Sequence, residues 1–348
     1  MHRTQLPADV LALLRRGTVI PAQLLALDAA RRLDRRRQRA LTRYYLDAGA
    51  GGIAVGVHAT QFAIRDAGLY EPVLELAASE ARAWTKRPVL LIAGLSGRTA
   101  QASNEAVLAL AHGYHAGMLS LAAMKGASED ELIAHCAAVA AAIPLVGFYL
   151  QPAVGGIVLP AAFWRRFCEI DNVIAVKVAP FNRYRTLDVA RGLVAASAED
   201  RITLYTGNDD HIVLDLLVPL VVKRGAEEIR VRIKGGLLGH WSVWTKAAVE
   251  LLERIQKITE INSEILALDS KVTDVNGAFF DVAHEFAGCI AGCHEVLRRQ
   301  GLFEGTWCLD PAEGLSPGQA AQIDRVYAAY PELNDDAFVA ANRERWMA

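Results

Sequence analysis

Short apolar runs recur along the first two thirds of the chain, and this recurrence is the feature that most restricts the fold. Each run is rich in β-branched residues and has the length of a buried strand. The segments between the runs have apolar residues three and four positions apart, as in "NEAVLALAHGYHA", and this spacing indicates helices. The runs are TVIPA from Thr18, GGIAVGV from Gly51, PVLLIAGL from Pro88, GMLSLAA from Gly117, PLVGFYLQ from Pro144, NVIAVKVA from Asn172, ITLYTGND from Ile202 and IRVRIKGG from Ile229.

The alternation of apolar strands with helices predicts a parallel sheet, and eight such units predict a closed (β/α)8 TIM barrel. A doubly wound open sheet is the alternative. From about Asn262 the alternation stops and the sequence becomes helix-like throughout. We therefore expect a barrel domain over residues 1–261 and a helical C-terminal extension over residues 262–348.

Composition narrows the class of protein. The 348 residues carry a formal net charge of −2, which offers no electrostatic footprint for nucleic acid or for an acidic membrane surface. No apolar stretch reaches the roughly 18 residues of a transmembrane helix, and the N-terminus lacks the apolar core of a signal peptide. The five cysteines are scattered, as is typical of a reducing compartment. We expect a cytoplasmic protein that binds neither nucleic acid nor membranes.

Lys177 interrupts the apolar run "NVIAVKVA". Because a strand alternates its faces, Lys177 shares a face with Val173 and Ala175, which are small or apolar. An amine in such surroundings loses hydration, and its pKa falls from about 10.4. A neutral amine can attack a ketone and form an iminium. The alternatives are a lysine that reaches water at the strand end and a lysine paired with Asp209.

Tyr149 lies on the preceding predicted strand, on the same face as Gly147 and Leu145. If its phenol comes near the Lys177 amine, it can shuttle protons during carbon–carbon chemistry. The alternative is a core tyrosine whose hydroxyl is hydrogen-bonded elsewhere.

Three cations, Arg230, Arg232 and Lys234, alternate along the predicted eighth strand. Facing the barrel interior, they would bind a carboxylate or phosphate of a substrate, or they would fill the interior and block Lys177. The alternatives are ion pairs with Glu227 or Glu228, or a different strand register. No cluster of cysteines and histidines has the spacing of a zinc site, so no metal site is predicted.

Several segments, in this order, resemble the dihydrodipicolinate synthase and N-acetylneuraminate lyase family of Schiff-base barrels. The segments are GTVIPAQLLALDAARRLD, YYLDAGAGGIAVGVHATQF, VLLIAGLSGRTAQAS, VGFYLQPAVGG, NVIAVKVAPFN and LYTGNDD. The resemblance implies that Lys177 is the Schiff-base lysine and Tyr149 the proton-relay tyrosine. It also implies pyruvate or another 2-keto acid as the covalently bound partner, no cofactor, and a homo-oligomer, either a dimer or a tetramer.

The chain departs from the family pattern at the residues expected to bind substrate. Val57 and His58, with Thr60 nearby, stand where the family has hydroxyl or small residues that bind the keto-acid carboxylate. Val154 stands at or near the place of an arginine that serves the second substrate in the synthases. These departures suggest a divergent member whose anion contacts have moved. The residues predicted to bind substrate are Val57, His58, Thr60, Gly207, Asn208, Arg230 and Arg232.

The function predicted from sequence is therefore a Schiff-base lyase, whether aldolase, synthase or dehydratase. It would act on pyruvate or another 2-keto acid, with an aldehyde or a sugar acid as the second partner. The alternative is a barrel that binds a keto acid or sugar acid without turnover, as a sensor or regulatory subunit.

Overall fold

The computed structural model describes residues 1–348, which form ten strands and thirteen α-helices. The strands are β1 (Val19–Pro21), β2 (Gly52–Val55), β3 (Leu90–Leu95), β4 (Ala116–Leu119), β5 (Leu145–Leu150), β6 (Val173–Ala179), β7 (Thr203–Thr206), β8 (Leu220–Arg224), β9 (Glu227–Val231) and β10 (Ile233–Leu238). The helices are α1 (Ala8–Arg16), α2 (Arg35–Ala48), α3 (Tyr70–Trp84), α4 (Thr99–Ala111), α5 (Glu129–Ala140), α6 (Ala161–Glu169), α7 (Arg183–Ala195), α8 (Ile212–Leu217), α9 (Thr245–Lys257), α10 (Ser263–Phe279), α11 (Cys289–Arg299), α12 (Gln319–Ala329) and α13 (Asp336–Met347). None of these helices combines the length and the apolar character needed to cross a bilayer.

Eight strands form one sheet in the order β1-β10-β7-β6-β5-β4-β3-β2. Neighbouring strands are parallel, as in the pairs β5–β6 and β6–β7. A parallel bridge between Ala22 and Ala54 joins the segments at the two ends of this order. Parallel strands joined by helices in this order form a (β/α)8 barrel, and the chain continues into C-terminal helices. The predicted fold class is confirmed.

The chain divides into two compact units, and the first comprises Met1–Thr18 and Leu90–Gly236. It contains β3 to β9 and the beginning of β10. Gly147 of β5 lies against α6, because a Cβ atom there would come within 2.7 Å of the Phe167 ring. The hydroxyl of Tyr205 on β7 donates to the Leu14 carbonyl at 2.8 Å, which fastens α1 to this unit.

The predicted starting residue of the eighth barrel strand, Ile229, is wrong. Residues 229–231 belong to β9, which pairs antiparallel with β8 in a separate two-stranded ribbon. The eighth barrel strand is β10, which begins at Ile233. Gly225, with a φ of 62°, starts the two-residue loop between β8 and β9, a position where positive φ favours glycine. Opposite charges face each other across the ribbon, as in the pair of Lys223 with Glu228. Of the three alternating cations, Arg230 lies on this ribbon, Arg232 follows it, and Lys234 lies exposed on β10.

The second unit comprises Val19–Val89 and Leu237–Ala348, so the C-terminal helices share a compact unit with α2 and α3. The indole Nε1 of Trp346 on α13 donates to Asp47 of α2 at 2.6 Å, and Arg43 donates to the Trp346 carbonyl at 2.8 Å. The Tyr44 hydroxyl donates to the carboxylate of Asp335 at 2.7 Å. The C-terminal segment is helical, as expected, and the division at residue 262 stays a prediction.

Candidate active site

Lys177 occupies the fifth position of β6, a strand whose seven residues are all buried. In the sheet it lies opposite Phe148 of β5 and Tyr205 of β7. Residues directly opposite in paired strands point to the same face. Phe148, Lys177 and Tyr205 therefore form one row on the face of the sheet that turns away from the surrounding helices.

The surroundings of Lys177 favour its neutral form. Its side chain is only 9% exposed, and its Nζ lies 4.5 Å from the centre of the Phe148 ring. Burial lowers the pKa of Lys177 to about 8, against the opposing attraction of the Asp209 carboxylate. At pH 7 roughly one amine in ten is then neutral, against about one in three thousand for an ordinary lysine. Such an amine is a competent nucleophile near neutral pH.

Gly207, at the end of β7, lies against the stem of Lys177. A Cβ atom on Gly207 would come within 2.6 Å of the Lys177 Cε and 2.8 Å of the Ala179 Cβ. Only a residue without a side chain leaves the amine in its present position. The structure therefore brings together two of the residues predicted for the site, Lys177 and Gly207.

Asn208 is almost fully buried, and its amide is engaged at both ends. Its oxygen accepts from the Phe181 backbone N–H at 3.0 Å, and its NH₂ donates to Asp215 at 2.9 Å and to Thr186 at 3.3 Å. The Asp215 carboxylate also accepts from the Thr206 hydroxyl at 2.6 Å and forms an ion pair with Arg183. Asn208 thus joins the loops that follow β6 and β7. This geometry makes it a positioning residue near Lys177.

Tyr149 lies on the other face of β5. It is opposite Val178, not Lys177, and its ring packs against Trp164 of α6 with centroids 5.2 Å apart. Its hydroxyl oxygen accepts a hydrogen bond from the Leu159 backbone N–H at 3.1 Å, and burial raises the pKa of this phenol. The residue that the structure places beside the amine is Phe148.

Val57, His58 and Thr60 lie in the turn after β2, within the second compact unit. Thr60 is fully buried, and its hydroxyl donates to the Gln23 carbonyl at 2.6 Å and accepts from the Gly56 N–H at 3.0 Å. Val57 is buried as well, while His58 is half-buried with its ring edge-on to Phe62. The Thr60 hydroxyl stabilises its own loop.

Arg230 and Arg232 do not lie on a barrel strand. Arg230 is on β9, where its side chain is 67% exposed and pairs with Glu228 at 3.0 Å. Arg232 follows β9 and donates to the Leu217 carbonyl at 3.3 Å. The interpretation in which Arg230 and Arg232 face the barrel interior is therefore wrong, and the alternative of a different strand register, with Arg230 paired to Glu228, is confirmed. Arg230 and Arg232 therefore do not block Lys177 from inside the barrel.

Sequence reasoning missed Phe148 and Tyr205 as neighbours of Lys177, and Asp215 as the carboxylate behind Asn208. Phe148 and Tyr205 could be found only from the register of β5 and β7 against β6, and a single sequence does not give that register. Asp215 lies seven residues after Asn208 on a short helix, and nothing in its sequence context marks it.

Comparisons with known proteins show which family and which solved structures the chain is similar to. The sequence model of the Dihydrodipicolinate synthetase family matches residues 15–222, more than half of the chain. Comparison with curated protein sequences finds no match.

Solved structures share the fold at low sequence identity. Dihydrodipicolinate synthase from Oceanobacillus iheyensis is 14% identical, with a TM-score of 0.74 over 93% of this chain and 100% of that one. CdNal from Clostridium difficile, in complex with mannosamine, is 16% identical, with a TM-score of 0.72 over 90% and 99% of the two chains. YagE from E. coli K12, in complex with pyruvate, is 17% identical, with a TM-score of 0.72 over 91% and 98%. With the family match over residues 15–222, the chain belongs to the dihydrodipicolinate synthetase family.

Proposed function

We propose that this protein is a class I lyase that forms a Schiff base between Lys177 and a 2-keto acid, with pyruvate as the first candidate. Membership of the family supports a lyase of the class I aldolase type. The observation that carries the proposal is the buried amine of Lys177, whose pKa of about 8 leaves part of it neutral at physiological pH.

The chemistry follows from that amine. Its lone pair attacks the ketone carbon of the keto acid, and the carbinolamine that forms loses water to give an iminium. Loss of a proton from the adjacent carbon gives an enamine, which adds to an aldehyde in the condensing direction or arises by carbon–carbon cleavage in the other. The Phe148 ring excludes water from one side of the amine, and the small Gly207 leaves room on another.

The resemblance implies a proton-relay role for Tyr149, which stays a prediction. The geometry does not support it, because the hydroxyl is engaged on the opposite face of β5 from Lys177. The substrate-binding roles of Val57, His58 and Thr60 stay predictions too. Asn208 is proposed to act through the loop ends that it joins, since its amide is occupied by protein partners.

A second function, a barrel that binds a keto acid or sugar acid without turnover, is favoured by one observation. The Thr60 hydroxyl, at the loop expected to bind the carboxylate, is occupied by Gln23 and Gly56. Both functions involve the same ligand class, so affinity does not separate them. Product formation does.

The decisive experiment is intact-mass analysis after incubation with pyruvate and borohydride, which reduces an iminium to a stable amine. We expect the wild-type protein to gain one reduced pyruvate adduct and Lys177→Ala to gain none. Lys257→Ala, at an exposed lysine, is the matched control and should gain the adduct fully. A wild-type protein that gains no adduct, first with pyruvate and then with larger 2-keto acids, would contradict the Schiff-base proposal. The second function, binding without turnover, would then be favoured.

An adduct that never yields product with any aldehyde or sugar acid would also favour the binding protein. Product formation that is lost in Lys177→Ala would establish the lyase and direct a screen for the second substrate.

A further inference from the structure

The ribbon formed by β8 and β9 has a strand edge that no other strand covers. The two strands make up a sheet of their own, so β9 pairs with β8 on one side and with no strand on the other. β8 packs against α7, which leaves β9 as the outer strand of the ribbon. An edge strand with unpaired N–H and C=O groups is a template for pairing with another chain. The residues of that edge determine which partner fits it.

The hydrogen bonds inside the ribbon determine which backbone groups of β9 point outwards. In a hairpin with a two-residue loop the flanking residues, here Arg224 and Glu227, form a hydrogen-bonded pair, and pairs of the two kinds then alternate along the ribbon. Ile229 is therefore hydrogen-bonded to β8, whereas the backbone N–H and C=O groups of Glu228 and Arg230 point to the free edge. No backbone hydrogen bond joins these four groups to another part of the chain.

The side chains that accompany these groups are accessible and opposite in charge. The side chain of Glu228 is 47% exposed and that of Arg230 is 67% exposed. Within one chain the two form an ion pair at 3.0 Å on the outer face of the strand, and an exposed pair of this kind contributes little to stability. Both charges can therefore be shared with a partner strand at small cost to the isolated chain.

The sequence of β9, EEIRV, is complementary in charge to a second copy of itself that runs in the opposite direction. When two copies pair with Ile229 opposite Ile229, each Glu228 lies opposite an Arg230. The outward backbone groups of these residues then form hydrogen-bonded pairs, and the two Ile229 residues form the non-hydrogen-bonded pair between them. A shift of two residues places Glu228 opposite Glu228 or Arg230 opposite Arg230, and like charges directly opposite are destabilising. The charges therefore select one register.

We propose that the free edge of β9 is an interface for a second copy of this chain, and that the two ribbons form one four-stranded antiparallel sheet about a twofold axis at Ile229. Each chain uses its single β9 edge, so this contact closes at two chains. A five-residue strand buries less area than a standard interface, so we expect a dissociation constant on the order of micromolar. The interface is independent of Lys177 and of the proposed lyase activity.

The first test is sedimentation velocity of the full chain and of two variants with inverted charges. Arg230→Glu places acidic side chains opposite each other, and Glu228→Arg does the same with basic ones. Each variant alone should therefore have half the particle mass of wild type and a dissociation constant raised at least tenfold. An equimolar mixture of the two should regain the wild-type mass, because the acidic pair of one variant faces the basic pair of the other. Lys257→Glu, the same charge change at an exposed lysine elsewhere, should leave the mass unchanged.

The second test locates the twofold axis by cross-linking. In a non-hydrogen-bonded pair the two Cα atoms are about 4.5 Å apart, which a disulfide can span. Mild oxidation of Ile229→Cys should therefore give a covalent dimer on a non-reducing gel. Glu227→Cys is the matched control, because its two copies lie four residues apart along the paired strands, about 13 Å, and it should stay monomeric. Wild type, whose five cysteines are buried or half-buried, gives the background.

A wild-type chain that sediments as a monomer at about 0.1 mM, well above the expected dissociation constant, would overturn the proposal. So would an unchanged mass in both charge variants, a mixture of them that does not assemble, or equal cross-linking of Ile229→Cys and Glu227→Cys. The cysteine variants keep both charges of the Glu228 and Arg230 pair, so they test the interface even if a charge variant does not fold. None of these measurements involves Lys177, so their failure leaves the borohydride experiment untouched, and the reverse holds as well.

Discussion

At Lys177 the proposed role as a nucleophile opposes the requirement for stability. The amine is charged in the unfolded chain up to its ordinary pKa of 10.5, and in the folded protein only up to about 8. Between these values the unfolded state binds more protons, so the free energy of unfolding rises with pH across that window. Below pH 8 both states carry the charge, and the full penalty for burying it remains.

Replacing Lys177 by methionine should therefore stabilise the protein at pH 7. The shift corresponds to an increase in the free energy of unfolding on the order of 3 kcal/mol, and this gain should shrink as the pH is raised from 8 to 10. Denaturant unfolding at pH 7 and pH 10 measures both effects, with Lys257→Met at an exposed position as the control. A loss of stability at pH 7 would mean that the ammonium mainly serves as a structural partner of Asp209.

Tyr149→Phe is expected to change the rate of borohydride-trapped adduct formation by less than threefold. Its hydroxyl accepts from the Leu159 N–H on the face of β5 that packs against α6, away from Lys177. Adding borohydride at a series of times and measuring the reduced adduct by intact mass gives the rate. A fall of about 10²-fold, the usual contribution of a general acid–base, would restore the proton relay implied by the resemblance.

The sequence indicates the proposed nucleophile but not its neighbours. A lone lysine in an apolar run is visible by eye, and the face shared by Val173, Ala175 and Lys177 follows from strand alternation. The sequence does not show whether Tyr149 lies on the same face of the sheet as Lys177, because the register of β5 against β6 shifts between Leu145 and Val146. A shift of one residue moves every later side chain to the other face.

At the scale of elements, seven of the eight barrel strands coincide with the apolar runs, and the eighth run straddles two strands. Residues 229–231 close a hairpin, while β10 begins at Ile233. Alternating polar and apolar residues are typical of either location, which is why the pattern alone misled. The two residues between β8 and β9, Gly225 and Ala226, were the usable signal, since a two-residue loop that begins with glycine is a hairpin turn.

The placement of the hairpin predicts that its cations are dispensable for chemistry. The double variant Arg230→Gln, Arg232→Gln should keep the yield of reduced pyruvate adduct and the half-saturating pyruvate concentration within twofold of wild type. The reason is that Arg230 is exposed and pairs with Glu228, while Arg232 contacts the Leu217 carbonyl. Intact-mass titration with pyruvate measures both quantities, and a tenfold rise in the half-saturating concentration would return these cations to substrate binding.

At the scale of the whole molecule, the compact units do not follow the predicted division at residue 262. Helices α10 to α13 share a unit with residues 19–89, and the buried Trp346 fixes α13 to α2 through Asp47. A sequence pattern shows where helices begin, but it does not show which earlier segment they cover. The predicted dimer or tetramer stays a prediction.

Removing residues 262–348 should therefore unfold residues 19–89 as well. The truncated chain would expose Tyr44 of α2, which is fully buried and packs on Phe338 and Trp346, and would lose the hydrogen bond of Tyr44 to Asp335. Circular dichroism during thermal unfolding is the measurement, with Trp346→Ala as a milder variant that should cost about 3–5 kcal/mol. A truncated chain that melts within a few degrees of wild type would establish residues 1–261 as an autonomous domain.

The hydrogen bonds at both ends of the Asn208 amide restrict the motion of the loop at Phe181. Phe181 lies outside any regular element, yet its backbone N–H is bound by a side chain that is itself almost fully buried. Exchange of its amide hydrogen requires the bond to Asn208 to open, and the bonds of Asn208 to Asp215 and Thr186 hold that partner in place. We therefore expect exchange at this loop position to be nearly as slow as in the strands beside it, so that the loop next to Lys177 behaves as a rigid frame.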